Sequence, residues 1–155
     1  MIKIFTTPSC ASCRKAKKWL DEHEVSYEEK NILAFPITKE DIRLMLRNAE
    51  NGFEDIISKR SKYIMENNID IDQLKVSELE RLIIEHPSIL KRPIIIEDDK
   101  MQVGYNEDDI RVFIPKELRK ILMCYDCDNC EYLEKLGEYG NKLKKYYYEQ
   151  VKKAV

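Results

Sequence analysis

The sequence predicts an α/β fold: a small mixed β-sheet with a βαβ opening and a ββα closing, and a helical subdomain inserted between them. Three observations lead there. A short strand pattern, a helical pattern and a second strand pattern fill the first 30 residues; helical spacings with capping signals fill 36–87; two apolar runs around a polar turn follow at 93–103. Ile2 and Ile4 alternate with Lys3 and Phe5 as in a strand, and from Ser12 onward Ala16, Trp19, Leu20 and His23 recur at helical spacing. Val25 to Lys30 supplies the second short strand. Thr38 caps a helix whose Ile42, Met45, Leu46 and Ala49 share one face, with Asn51-Gly52 as its stop. Ser77-Glu78-Leu79-Glu80 is a capping-box pattern, followed by Leu79, Leu82, Ile83 and His86 on one stripe and closed by Pro87. Pro93-Ile94-Ile95-Ile96 and Met101-Gln102-Val103 flank the turn Glu97-Asp98-Asp99-Lys100, which predicts a hairpin with a well-buried first strand. Asn106 with Asp109 starts a last helix that turns Ile110, Phe113 and Ile114 inward.

Residues 1–122 therefore form one domain. The stretch 123–155 is an appended extension, with three of the five cysteines, six of the nine tyrosines and a final amphipathic helix through Leu143, Tyr146, Tyr147 and Val151. The 27 basic and 29 acidic residues leave a net charge of -2, so no global field draws the chain to nucleic acid. Charged residues are 36% of the chain and no apolar run is long enough to span a bilayer, which predicts a soluble protein with no membrane partner. MIKIFTTPSC lacks the basic start and apolar stretch of a signal peptide, so the expected compartment is the reducing cytoplasm. There, cysteines are redox-active, metal-binding or free more often than they are a permanent framework.

In PSCASCRK, Cys10 and Cys13 stand where the first strand pattern gives way to the helix. Positions i and i+3 at a helix start lie about 5–6 Å apart, near enough for a disulfide to form and break. Free backbone N–H groups, the positive end of the helix dipole and the neighbouring Arg14 and Lys15 all favour a thiolate at Cys10. A CxxC beside a βαβ pattern indicates thioredoxin-like redox chemistry; the plain alternative is two reduced thiols. The histidines decide little, since His23 and His86 both fall at helix ends without a serine and carboxylate arrangement, and no glycine-rich phosphate loop occurs.

Three stretches, TTPSCASCRKAKKWLDEHEV, RNAENGFEDIISKRSKY and LIIEHPSILKRPIIIEDDKMQVGYNEDDIRVFIP, cover about residues 1–120 in one order. With them the sequence resembles the Spx family of transcriptional regulators, in the arsenate reductase-like (ArsC) branch of thioredoxin-related proteins. The resemblance implies a thioredoxin-like mixed sheet with an inserted helical bundle. It implies a regulator that docks on the C-terminal domain of the RNA polymerase α subunit, reaches promoter DNA only through that complex, and redirects transcription under thiol stress. Cys10 and Cys13 match the family's redox switch. Gly52 matches a glycine implicated in α binding, and a helix stop needing positive φ is an equally sound reason for glycine there. Arg47, near the end of the same helix, is a second interface candidate. Arg92, held extended before Pro93, matches an arginine near the cysteine loop that supports thiolate or attracts an anion. Within Lys59-Arg60-Ser61-Lys62, Arg60 and Lys62 are candidates for promoter phosphate, made effective by tethering through polymerase.

The rival reading is a thiol enzyme, an arsenate reductase or glutaredoxin-like oxidoreductase, since one fold serves both. The reductases that this chain resembles hold substrate with three arginines. Arg60 and Arg92 match two, but Gln102-Val103-Gly104-Tyr105 stands where the third is expected, which favours a non-catalytic regulator without cofactor. The extension departs from the family, whose members end soon after the last helix. Cys124, Cys127 and Cys130 are spaced like ligands, but zinc takes four and the fourth is missing, so free or redox-active thiols are expected rather than a metal. Family members are kept scarce by a protease and its adaptor acting through the C-terminal end; the altered terminus leaves that partner open.

Overall fold

Strand β1 (Ile2–Thr6) is an inner strand of the sheet, and residues pointing to both of its faces are buried. A computed structural model describes residues 1–23 and 25–114, with Gly137, Glu138 and Gly140. The chain divides into two units, Met1–Phe113 and Ile114–Val155, and the sheet with its helices belongs to the first. Helix α1 (Ala11–Glu22) crosses from β1 to the parallel strand β2 (Tyr27–Asn31), with Ile4 opposite Glu29 in register. Strands β3 (Ile94–Glu97) and β4 (Lys100–Val103) return as an antiparallel hairpin, and the sheet order is β2-β1-β3-β4. The sheet is thus mixed, as the sequence predicts, with β2 two residues shorter at its start than expected.

Between β2 and β3 lie α2 (Lys39–Asn48), α3 (Phe53–Ile56), α4 (Lys62–Glu66) and α5 (Val76–Glu85), with short 3₁₀ turns at Ile71–Gln73 and Pro87–Ile89. Their apolar faces share a core with one side of the sheet: Ile42, Met45, Ile56 and Ile83 pack with Phe5, Ile94 and Ile96. Strand alternation sends Ile4 and Ile95, partners in register, to the opposite face. That face receives the crossover helix α1, which buries Cys13, Ala16, Trp19 and Leu20 on one stripe.

Thr38 caps α2 as expected. Its hydroxyl accepts the Asp41 N–H at 3.2 Å, while the Asp41 carboxylate accepts the Thr38 N–H at 2.9 Å and Lys30 Nζ at 2.6 Å, tying β2 to the insertion. Three expectations need correction. The stop of α2 is Ala49 in extended conformation, and Gly52 instead opens α3. Helix α5 starts two residues earlier than the Ser77 box implies: Lys75 is its N-cap and Glu78 accepts the Lys75 N–H at 2.8 Å. The last helix is a 3₁₀ helix over Asp109–Phe113, started by the Asn106 side chain accepting from Asp108 and Asp109 N–H, with Ile110 and Phe113 buried. The histidines pack: His23 stacks on Trp19 and His86 on Tyr63. Burial holds the His23 imidazole below its ordinary pKa of 6.5 despite its hydrogen bond with the Trp19 carbonyl.

Candidate redox site and docking residues

Cys10 is the N-cap of α1. Its backbone is extended, its N–H donates to Thr7 O at 3.2 Å, and its sulfur accepts the Cys13 N–H at 3.1 Å. The two cysteines are joined as a disulfide with Cα atoms 5.2 Å apart. Cys13 is buried in the α1 stripe and Cys10 is half-buried, so Cys10 is the sulfur within reach of a partner or oxidant. When the bond is reduced, the same N–H and the helix dipole act on the Cys10 thiolate. Arg14 folds back so that its guanidinium lies 3.4 Å from the Pro8 carbonyl oxygen, keeping a cation against the cysteine loop.

Cys10 opens on a surface cleft of 440 Å³, lined by the loop residues Thr7 and Ser9, by Ser58, by Leu90, Lys91 and Arg92, and by Val103 and Gly104. The structure therefore brings Arg92 to the cysteine loop, ahead of a cis peptide bond to Pro93. Arg60 is not among the residues lining this cleft, so the two arginines that the enzyme reading groups together are not combined there. Sequence reasoning passed over Lys91 and Ser58. They arrive through an isolated antiparallel bridge between Ile57 and Leu90, flanked by Ser58 N–H to Ile89 O and Lys91 N–H to Ile56 O, both 2.8 Å. Lys91 Nζ also donates to Glu54 O at 2.7 Å, closing the end of α3.

The ArsC family pattern matches residues 5–113. The protein named "Global transcriptional regulator Spx" of Streptococcus agalactiae is 52% identical over 120 residues, 77% of this chain and 88% of that one. Its Bacillus subtilis namesake is 47% identical over 119 residues, 77% of this chain and 91% of that one. The chain belongs to the Spx family within the ArsC family. Solved structures agree with this fold: a Staphylococcus aureus protein, 26% identical, superposes with a TM-score of 0.63 over 72% of this chain and 97% of its own. A structure described as a possible arsenate reductase from Streptococcus mutans, 25% identical, gives 0.61 over 68% and 92%. The thioredoxin-like α/β class read from the sequence is thus the observed one, in this Spx-family chain as in its structural neighbours.

Gly52 has φ +65° and ψ -129°, a conformation that L-residues rarely adopt. A Cβ there would meet no atom within 4 Å, so backbone conformation and not crowding demands glycine. Asp55 braces the turn by accepting the Asn51 N–H at 2.8 Å and its side-chain amide at 3.1 Å, and these bonds hold the Asp55 carboxyl below its usual range. Arg47 is exposed in the last turn of α2. The Lys59–Lys62 run is not one uniform basic patch. Lys59 bridges Glu54 at 2.9 Å and Asp72 at 3.0 Å, which raises its pKa, while Lys62 faces Glu66 at 3.7 Å and Arg60 is exposed. Cys124, Cys127 and Cys130 lie outside the described residues, as does the extension's predicted helix; among the described residues no group of three or more His, Cys, Asp and Glu is placed to hold a metal. No helix among the described residues is long and apolar enough to cross a membrane.

Proposed function

We propose that this chain is a cytoplasmic, redox-responsive regulator of transcription, which binds the C-terminal domain of the RNA polymerase α subunit and is switched by the Cys10–Cys13 disulfide. One observation carries the reading: in a chain about half identical to regulators named Spx, a disulfide caps α1 and its Cys10 opens on a cleft lined by Arg92. Oxidation removes two thiols and forms one S–S bond, with the electrons passing to the thiol-reactive oxidant. In the reduced state the Cys13 N–H and Arg92 favour thiolate on Cys10, which speeds that step. Gly52 and Arg47 supply the α-domain contact, Arg60 and Lys62 lie against promoter phosphate once polymerase has placed them, and Arg14 and Arg92 support the thiolate.

The test is α-domain binding and reconstituted transcription with the pair reduced, oxidised and changed to Cys10→Ala. Tighter binding and a changed transcript pattern in the oxidised form are expected; indifference to all three states removes the switch. The second reading, a thiol oxidoreductase, draws on the same cleft and on the likeness to a possible arsenate reductase. Arsenate turnover without α binding would reverse the ranking.

A further inference from the structure

Arg92 lines the 440 Å³ cleft onto which Cys10 opens, is half-buried, and forms no ion pair or hydrogen bond among the described residues. Lys17, Lys30 and Lys100, also half-buried, each have a carboxylate partner, in Glu29, Asp41 and Glu97. A guanidinium that has lost part of its hydration without such a partner draws an anion. The surroundings agree in sign. Lys91 is the second cation of the cleft, with its Nζ held on Glu54 O, and no Asp or Glu is among the lining residues, although the whole chain carries a net charge of -2. One free guanidinium suits a single carboxylate, which its planar fork meets with two N–H groups, better than it suits a multiply charged oxyanion that calls for several cations. Leu90 and Val103 add hydrocarbon to the wall beside it.

Taking the Cys10–Cys13 pair as the exchangeable switch proposed for this chain, we infer that the cleft binds a small thiol carrying a carboxylate, and the disulfide of that thiol, and exchanges with them through a mixed disulfide on Cys10. The carboxylate rests on Arg92, the hydrocarbon stem on Leu90 and Val103, and the sulfur meets Cys10. Cys10 is the point of attack because Cys13 is buried in the α1 stripe. In the oxidising direction the Cys10 thiolate attacks one sulfur of the small disulfide; that S–S bond breaks, one small thiolate leaves, and Cys10 keeps the other half. Cys13, once deprotonated, attacks the Cys10 sulfur and expels the second small thiolate. The two protein thiols lose two electrons, the small disulfide gains them, and the two thiol protons pass through water to the released thiolates. In reverse, a small thiolate opens the pair at Cys10, and a second releases Cys10 from the mixed disulfide, a departure favoured by the Cys13 N–H 3.1 Å from its sulfur. The switch is thereby coupled to the ratio of a small anionic thiol to its disulfide.

The experiment exposes the reduced full-length chain to three symmetric disulfides of similar size, the anionic dithiodipropionate, the neutral hydroxyethyl disulfide and the cationic cystamine, and divides each rate by that of an uncharged cysteine peptide. Modification is read by mass on the tryptic peptide 4–14, which separates Cys10 and Cys13 from the other cysteines, and Cys13→Ser retains the mixed disulfide. The wild type is expected to react about tenfold faster with the anionic than with the neutral probe, and slowest with the cationic one. Arg92→Gln should bring the anionic and neutral rates within about twofold of each other, Arg92→Lys should keep part of the preference, and Arg81→Gln, at an exposed position on α5, should keep all of it. The neutral probe corrects for the effect of Arg92 on the Cys10 thiolate itself. Equal normalised rates for all three probes in the wild type overturn the inference and leave the redox switch standing. A preference that survives Arg92→Gln, or that is lost as fully in Arg81→Gln, overturns it too, because the anion would then not be held by Arg92. No reaction at Cys10 with any probe removes the inference together with the exchangeable switch beneath it.

Discussion

Gly52→Ala separates a turn requirement from an interface requirement. An alanine forced to φ +65°, ψ -129° sits in a region that L-residues rarely occupy, at a cost of about 1–3 kcal/mol. No steric contribution adds to this, because the space a methyl would fill is empty. For a chain of 155 residues about 2 kcal/mol corresponds to a fall in Tm of about 4–8 °C. A domain of ordinary stability stays folded at 25 °C after such a loss. If Gly52 served the turn alone, the folded variant would keep nearly full α-domain affinity. Docking on the Gly52 backbone predicts a loss of more than tenfold in affinity while circular dichroism at 25 °C remains that of the wild type. The assay pairs thermal melts with α-domain titrations on one preparation. An unchanged Tm would refute the conformational argument, and an unchanged affinity beside a lowered Tm would refute the docking role.

Asp41→Asn should cost about 2 kcal/mol at neutral pH, since it weakens the Thr38 box and leaves Lys30 half-buried without its partner. Burial alone would raise the Asp41 pKa, but the bonds from Lys30 and Thr38 hold it below 3.8, so its contribution is present above that pH and fades as pH falls through the folded value. Melts of wild type and Asp41→Asn should therefore converge as pH falls below 3.8, and a constant gap would count against this assignment. Lys91→Met removes the donor to Glu54 O and should destabilise locally by about 1 kcal/mol, read as faster hydrogen exchange at the Ile57 amide, with Lys91→Arg closer to wild type. Ile95→Ala, at a fully buried position in β3, should cost about 2–5 kcal/mol in chemical denaturation; a loss under about 1 kcal/mol would contradict the two-sided burial of that strand.

Much of this fold is legible in the sequence because its elements carry local signals. The alternation around Ile4, the α1 stripe through Ala16 and Leu20, and the Thr38 cap each involve residues only a few positions apart. The errors arise where two local signals compete. Asn51-Gly52 resembles a helix stop, yet the chain has already left α2 at Ala49 and uses the glycine to begin α3. Ser77 is an attractive N-cap, but Glu78 reaches back to the Lys75 N–H and starts α5 sooner. The candidate site divides in the same way: Cys10 and Cys13 are visible from spacing, and Arg92 from resemblance. Ser58 and Lys91 are not, because a single bridge between Ile57 and Leu90 leaves no periodic trace in a sequence.

The contents of the Cys10 cleft bear on the choice between switch and reductase. Holding a multiply charged oxyanion for reduction calls for several cations aimed at one point, since each must offset charge that water would otherwise solvate. Here Arg92 and Lys91 line the cleft, but Lys91 donates to Glu54 O, Val103 and Gly104 fill the side after the hairpin with hydrocarbon and backbone, and Arg60 is absent from the lining. A disulfide switch asks less: a second sulfur within bonding reach, donors that favour thiolate on the accessible one, and an opening for the oxidant. Cys13, the Cys13 N–H and the cleft supply each of these. The same loop thus carries what exchange at sulfur asks for, and the arginines that the reductase reading groups together are not combined at its cleft, which supports putting the regulator reading first.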